Sequence, residues 1–191
     1  MMLGATMIDS RLLTAVRRRP VLSYFVLTFA ISWGGILLLV LPGGFVPTRT
    51  ELGALFLPVF LAMLLGPSLS GLILAFALDG RAGIRALFAT FARWRVGSRY
   101  YLLALAAPVI ALIVLGIFSA FSPIFTPTIF GATGGFPLLA TGIGIGLAAG
   151  FLEELGWTGF AARRLLLTQN VVATGVLIGV PHGLWHFLVG Y

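Results

Sequence analysis

Four side chains in the last quarter of the sequence could carry chemistry: Glu153, Glu154, His182 and His186. The two glutamates are adjacent, and the group holds two of the five acidic residues and both histidines of the 191-residue chain. Carboxylate and imidazole groups are common general acids and bases in active sites. Because His182 and His186 are four residues apart, one face of a helix would carry both. We therefore predict that the glutamates and histidines share one polar site.

Two kinds of chemistry fit such a site. A glutamate could activate water for attack on a peptide carbonyl while a histidine positions the water or protonates the leaving group. Alternatively, the carboxylate and the imidazole could relay protons or bind an ion in a transporter. The spacing of the histidines also suits two metal ligands, as in H-E-x-x-H, but Gly183 stands where that motif has its glutamate. The residues alone leave these alternatives open.

The composition shows what surrounds the site. Hydrophobic residues make up 60% of the chain, charged residues make up 9%, and the mean hydropathy is +1.11. A soluble domain carries about 25% charged residues because its surface faces water. Such a chain instead predicts a polytopic, all-α bundle of transmembrane helices in a lipid bilayer. The absence of cysteine excludes disulfide and thiolate chemistry.

Five apolar stretches are long enough to cross a hydrocarbon core, which takes about 20 helical residues. They cover residues 21–41, 52–78, 100–121, 137 to about 162, and 171–191. We interpret the first as a retained anchor, since it is longer than the apolar part of a cleaved signal peptide. The predicted organisation is a basic cytoplasmic tail over 1–20, transmembrane helices with a cytoplasmic loop over 21–136, and a site-bearing core over 137–191.

The twelve basic residues are all arginine, and their distribution predicts the orientation of the chain. With the N-terminus in the cytoplasm, the inner segments 1–20, 79–99 and 163–170 hold eleven arginines, and the outer segments hold only Arg49. Such an excess is typical of cytoplasmic loops. The arginines form no dense tract, so the net charge of +7 does not indicate nucleic acid binding. The 79–99 loop is either an amphipathic segment on an anionic membrane surface or an ordinary basic loop with aromatic anchors.

Two further stretches of the sequence are motifs of a known kind. Glu-Glu-Leu-Gly-Trp-Thr-Gly-Phe at 153–160 and Gly-Leu-Trp-His at 183–186 resemble the first and second motifs of the CPBP family of intramembrane proteases. This family includes the CAAX prenyl endopeptidases and the bacterial Abi proteins. Ser32-Trp33, Gly66-Pro67-Ser68 and Trp-Arg-Val-Gly at 94–97 are also similar to stretches of bacterial members. The likeness extends over nearly the whole chain.

The resemblance implies hydrolysis of a peptide bond at a membrane, with a peptide or a membrane protein as the substrate. It implies that Glu153 and His186 activate a water molecule and that Glu154 is a supporting carboxylate. It also implies a bacterial inner membrane as the location. The cofactor is left open, because a divalent metal such as zinc is compatible with these side chains but is not required by the sequence.

The chain departs from the family pattern at three places. Thr158 replaces an arginine that would lie four residues after Glu154, and we expect that threonine cannot pair with this glutamate as arginine would. His182 replaces a phenylalanine, and we interpret it as a tolerated substitution that at best helps positioning. The sequence reaches Tyr191 without the third family motif, which is implied to stabilise the oxyanion.

These departures bear on activity. We expect that the 191-residue chain alone cleaves no peptide faster than its Glu153→Ala variant does, and that a longer form would supply the third motif. The alternative function is that of a catalytically inactive family member acting as a membrane immunity or interaction factor. A proton-coupled transporter is a third interpretation, although the sequence lacks the repeated halves that transporters usually have.

Overall fold

A computed structural model describes residues 13–43, 49–126 and 135–188 of the chain, and within these ranges it contains helices and no strand. After a short helical turn at 13–18, the elements are α1 (Pro20–Val40), a 3-10 turn (Leu41–Gly43), α2 (Arg49–Phe91), α3 (Ser98–Ser119), a 3-10 turn (Pro123–Phe125), α4 (Gly135–Gly156), a π-helix (Trp157–Ala162), α5 (Arg163–Leu165), α6 (Val171–Trp185) and a 3-10 turn (His186–Leu188). The predicted all-α class is confirmed.

Five helical stretches are long and apolar enough to cross a membrane, which matches the five predicted spans. They are Pro20–Val40, Gly53–Phe91, Ser98–Ser119, Gly135–Leu165 and Val171–Leu188. In a bilayer, helices satisfy their backbone hydrogen bonds internally, so a chain of this composition is stable there as a helical bundle. The chain is an α-helical membrane protein. The last three residues of the predicted fifth span, 189–191, lie outside the described residues. So does most of the predicted loop at 122–136.

Residues 79–91 of the predicted cytoplasmic segment at 79–99 are helical, so the second helix is longer than the predicted span, which ended at residue 78. The helix α2 continues past residue 78, with one break at Gly80, where φ is 60° and ψ is −145°. This conformation is essentially restricted to glycine. Beyond the break Leu87 is buried, and this contact with the core explains why the segment is a helix and not a loop. Only residues 92–97 are irregular.

The chain divides into two compact units, residues 1–91 with 149–191 and residues 92–148. The second unit contains α3, which has no buried side chain along its described length. A helix that is apolar on all sides is typical of a membrane span. The remaining description concerns the first unit, because it holds all four candidate residues.

The most extensive helix contact of the first unit, among the described residues, is between α1 and α2. The buried side chains of α1 are spaced four residues apart, at Tyr24, Thr28, Ser32 and Ile36, so they form one stripe on the helix. At Gly66 of α2, an added Cβ atom would overlap the Ser32 hydroxyl. Small residues that let two backbones approach are typical of helix contacts in membranes.

The π-helix joins α4 to α5 without a break and forms much of the core. Its buried residues are Trp157, Gly159, Phe160 and Ala161. Together with neighbours from α1, α2 and α6, they make up one apolar cluster, whose buried members are Tyr24, Ile36, Met63, Leu64, Leu74, Ala75, Leu87, Leu155, Trp157, Phe160, Ala161 and Trp185. π-helical turns within α-helices are rare and occur frequently at functional sites. Here the π-helix begins three residues after Glu154.

Candidate functional site

Glu153 lies three residues before the end of α4, and its carboxylate contacts α6. Its Oε2 atom is 3.3 Å from Nε2 of His182. The two side chains are 20% and 28% exposed, so both are shielded but remain accessible. A carboxylate in an apolar span is costly unless it has a partner, and the imidazole supplies one.

His186 joins this pair from the last turn of the described chain. One ligand atom each from Glu153, His182 and His186 can be chosen so that all three lie within 4.8 Å of one another. The structure therefore brings Glu153 and His186 together, as the sequence predicted. Their catalytic roles stay predictions.

The helix bounds place Glu153 and His182 at similar depths. The apolar span that carries Glu153 runs to Leu165, which is 12 residues further (153 to 165) or about 18 Å along a helix. His182 lies 11 residues after Val171, the first residue of α6, or about 16 Å. The two helices meet at the short connection between Leu165 and Val171. Consequently, Glu153 and His182 lie at nearly the same level.

His182 is the site residue that the sequence interpretation undervalued. It was expected to be a tolerated replacement for phenylalanine, yet among the described residues it is the hydrogen-bond partner of Glu153. The four-residue spacing from His186 was the signal for its position on the correct helix face. What the sequence could not supply was the distance from α6 to α4.

Glu154 is held differently from its neighbour. The hydroxyl of Thr158 donates a hydrogen bond to its Oε2 atom. The expectation that Thr158 cannot pair with Glu154 was therefore wrong in one respect, because a neutral hydrogen bond replaces the ion pair. Among the described residues, the ligand cluster contains Glu153 and not Glu154. The two adjacent carboxylates thus have separate partners.

Aromatic rings enclose the histidines. The ring of His182 stacks on Trp157 at a centroid distance of 4.7 Å and on His186 at 5.2 Å. The ring of Trp185 lies 4.8 Å from that of His186. Trp157 belongs to the π-helix and contacts Tyr24 of α1 edge-on at 5.5 Å. These contacts limit the rotation of the imidazoles.

Two hydrogen bonds connect Trp185 to the first helix. Its indole nitrogen donates to the Ser32 hydroxyl at 2.8 Å, and its backbone carbonyl accepts from the indole of Trp33 at 3.1 Å. The Ser32 hydroxyl in turn donates to the Met63 carbonyl at 2.7 Å. Because Trp185 directly precedes His186, these bonds fix the backbone from which that imidazole projects. The Ser32-Trp33 pair, noted in the sequence for its resemblance only, therefore supports the site.

A second polar cluster lies between α2 and α5. Arg164 forms an ion pair with Asp79 at 2.6 Å, and Arg163 donates to the carbonyl of Ala86 at 3.0 Å. These groups line a cavity of about 340 Å³ that also contacts Gly159 and Phe160. Both arginines are thus engaged with the segment of α2 that follows Gly80. Neither is bonded to a glutamate of the site.

Comparisons with protein-family models, with curated proteins and with solved structures found no match to this chain.

Proposed function

We propose that the protein is an intramembrane endopeptidase of the CPBP type, which hydrolyses peptide bonds of membrane-associated substrates. The observation that supports this proposal is the meeting of the Glu153 carboxylate with the imidazoles of His182 and His186 inside an apolar bundle. A hydrated acid–base pair is costly at this place in a membrane protein, and such groups are usually retained for function.

The proposed reaction uses Glu153 as the general base. Glu153 accepts a proton from a water molecule while the water oxygen attacks the carbonyl carbon of the peptide bond. A C–O bond forms, and the carbonyl oxygen takes the negative charge. When the C–N bond breaks, the proton passes to the leaving nitrogen, and the products are a carboxylic acid and an amine. In this scheme His186 orients the water, and His182 orients the carboxylate of Glu153.

The proposal includes a location. Eleven arginines on one predicted side of the membrane against one on the other support an N-terminus in the cytoplasm. We propose the bacterial inner membrane as the membrane concerned. The substrates are then peptides or membrane proteins that reach the bundle from within the bilayer or from its surface.

The test is a cleavage assay with the protein, including any residues encoded beyond Tyr191, in liposomes that carry a pool of membrane-anchored peptides. New termini are identified by mass spectrometry. We expect Glu153→Gln, which keeps the size of the side chain, to lower the rate by about 10²–10⁴-fold, the usual contribution of a general base. Asp79→Asn makes the same chemical change outside the site and should keep the parent rate. Equal cleavage by the parent and the Glu153→Gln variant would refute the proposal.

A second candidate is a catalytically inactive membrane immunity or interaction factor. It is favoured by Thr158, which gives Glu154 a neutral partner where the family motif has arginine. Such a factor would bind peptides or a partner protein without cutting them. In the same assay, the parent protein would then retain peptides in the liposomes, and no new termini would form.

A further inference from the structure

The side chains of Glu153, His182 and His186 offer the atoms that bind metal ions, because two imidazole nitrogens and one carboxylate oxygen converge. All three atoms lie within 4.8 Å of one another. Two histidines and one glutamate hold zinc in several hydrolases, and a fourth position stays open for water. Bond lengths of about 2.0–2.2 Å in tetrahedral geometry place ligand atoms about 3.4 Å apart. The separation of 3.3 Å between Glu153 and His182 agrees with this value.

The third ligand needs only a small adjustment. His186 is exposed, whereas Glu153 and His182 are partly buried. Its ring contacts those of His182 and Trp185, so a small rotation of the exposed imidazole shifts these two contacts. The backbone of Trp185 is meanwhile held by the indole of Trp33, so the position from which His186 projects is fixed. The site combines two fixed ligands with one adjustable ligand.

The charge of the site also calls for a cation. Glu153 and Glu154 are adjacent and place two partly buried carboxylates within an apolar span. The two arginines that follow them in the sequence are engaged elsewhere, Arg163 with a carbonyl of α2 and Arg164 with Asp79. A divalent ion bound by Glu153 would add positive charge beside these carboxylates. A carboxylate within an apolar span is costly unless it is paired, and a cation supplies such a partner.

We infer that Glu153, His182 and His186 bind one divalent transition-metal ion of the zinc class. The inference rests on the proposed function for the use of this ion, which would hold and acidify the attacking water. His182 is the decisive ligand, because a phenylalanine in its place would leave only two donors. Glu153 would then hold the ion as a ligand, in place of accepting the proton directly from the water.

In the experiment, Co²⁺ or Zn²⁺ is titrated into the purified full chain in detergent. The affinity tag used for purification contains no histidine. Bound Co²⁺ is followed by its visible ligand-field absorption, and Zn²⁺ is counted by elemental analysis after gel filtration. We expect one ion per chain, with a spectrum typical of a four-coordinate site with nitrogen and oxygen ligands. The variant His182→Phe keeps the bulk and the aromatic contact with Trp157. It should weaken binding by at least about tenfold, as loss of ligand support does in known sites.

Two further variants complete the test. Glu153→Gln should also lose the ion, whereas Asp79→Asn, a carboxylate outside the cluster, should bind it like the parent. Circular dichroism and gel filtration show which variants are folded, and Glu153→Gln serves as the test if His182→Phe does not fold. Absence of stoichiometric binding by the parent, or equal binding by His182→Phe, overturns the inference. Cleavage that depends on Glu153 but needs no metal ion would also overturn the inference, and it would leave the proposed function intact. Metal binding without cleavage would support the inference and contradict the proposed function.

Discussion

The Ser32 hydroxyl links three helices through two hydrogen bonds. It accepts from the indole of Trp185 in α6 and donates to the carbonyl of Met63 in α2. Ser32 is fully buried, so no water replaces the lost partner when the hydroxyl is removed. We expect Ser32→Ala to lower the free energy of unfolding by about 0.5–2 kcal/mol, the range for such bonds in membrane proteins and for a buried donor left unpaired. Thermal unfolding in detergent measures the change.

Ser119→Ala is the matched control for this prediction. Its hydroxyl is exposed and bonds only to the carbonyl of Gly116 in the same helix, so stability should stay nearly unchanged. Trp185→Phe removes the same hydrogen bond from the other side. If the bond matters, the loss in the double variant should be smaller than the sum of the two single losses. Strictly additive losses would show that Ser32 stabilises the bundle in another way.

At the level of single residues, the sequence predicted which side chains carry chemistry, but not how each is held. The rarity of acids and histidines identified Glu153 and His186. The contact between His182 and Glu153 depends on the distance between two helices, which no spacing within one helix reveals. The hydrogen bond from Thr158 to Glu154 was not predicted, because only the loss of the positive charge of arginine was considered and not the hydroxyl donor of threonine.

At the level of helices, Gly156 is where α4 meets α1 and α2. A Cβ atom at this position would overlap the carbonyl oxygen of Pro67 and the hydroxyl of Tyr24. Since a backbone carbonyl cannot move away without disturbing its helix, the helices would have to separate. We expect Gly156→Ala to destabilise the protein by about 1–3 kcal/mol, as overpacking does in a close-packed interior. It should also lower any Glu153-dependent activity, because Glu153 lies on the same helix one turn earlier.

Gly150→Ala is the control on the same helix. An added Cβ atom at residue 150 meets no atom within 4 Å, and the change removes one flexible residue from the unfolded chain. This variant should therefore keep or slightly raise the midpoint of thermal unfolding. A loss of stability as large as that of Gly156→Ala would indicate that helix propensity, and not close contact, explains the need for glycine.

Helix positions were predictable from apolar length, but two interruptions of helical geometry were not. The break at Gly80 depends on a positive φ angle, which a glycine can adopt but does not have to adopt. The sequence around it predicts a loop because it is rich in charge. The π-helix at Trp157–Ala162 contacts α2 and α6, and four of its residues are buried. Apolar length alone indicates neither feature.

For the molecule as a whole, the arginine distribution predicts the orientation in the membrane. The N-terminus and the segment 79–99 should face the cytoplasm, and the segment 122–136 should face outward. Reporter fusions at Arg95 and Thr128 should therefore give opposite signals. A fusion at Arg17 is the control and should behave like the one at Arg95. Signals of the same sign at Arg95 and Thr128 would rule out this topology.

The class of the whole molecule was the most predictable feature, because it follows from bulk properties. A chain with 9% charged residues cannot cover a water-soluble surface, and five apolar stretches of sufficient length then predict the number of helices. Assembly into two compact units was not predicted. It depends on which helix faces contact each other, and apolar helices in lipid carry little pattern to reveal this.

The connection between Trp185 and Ser32 has a consequence for the timing of biosynthesis. The two residues are 153 positions apart in sequence, so a ribosome making about 5–20 residues per second needs roughly 8–30 s to pass from one to the other. During that interval the first helix is already inserted with a buried face of tyrosine, threonine and serine side chains that awaits its partner. A nascent chain therefore cannot bring His182 and His186 together with Glu153 until its last described helix has entered the membrane.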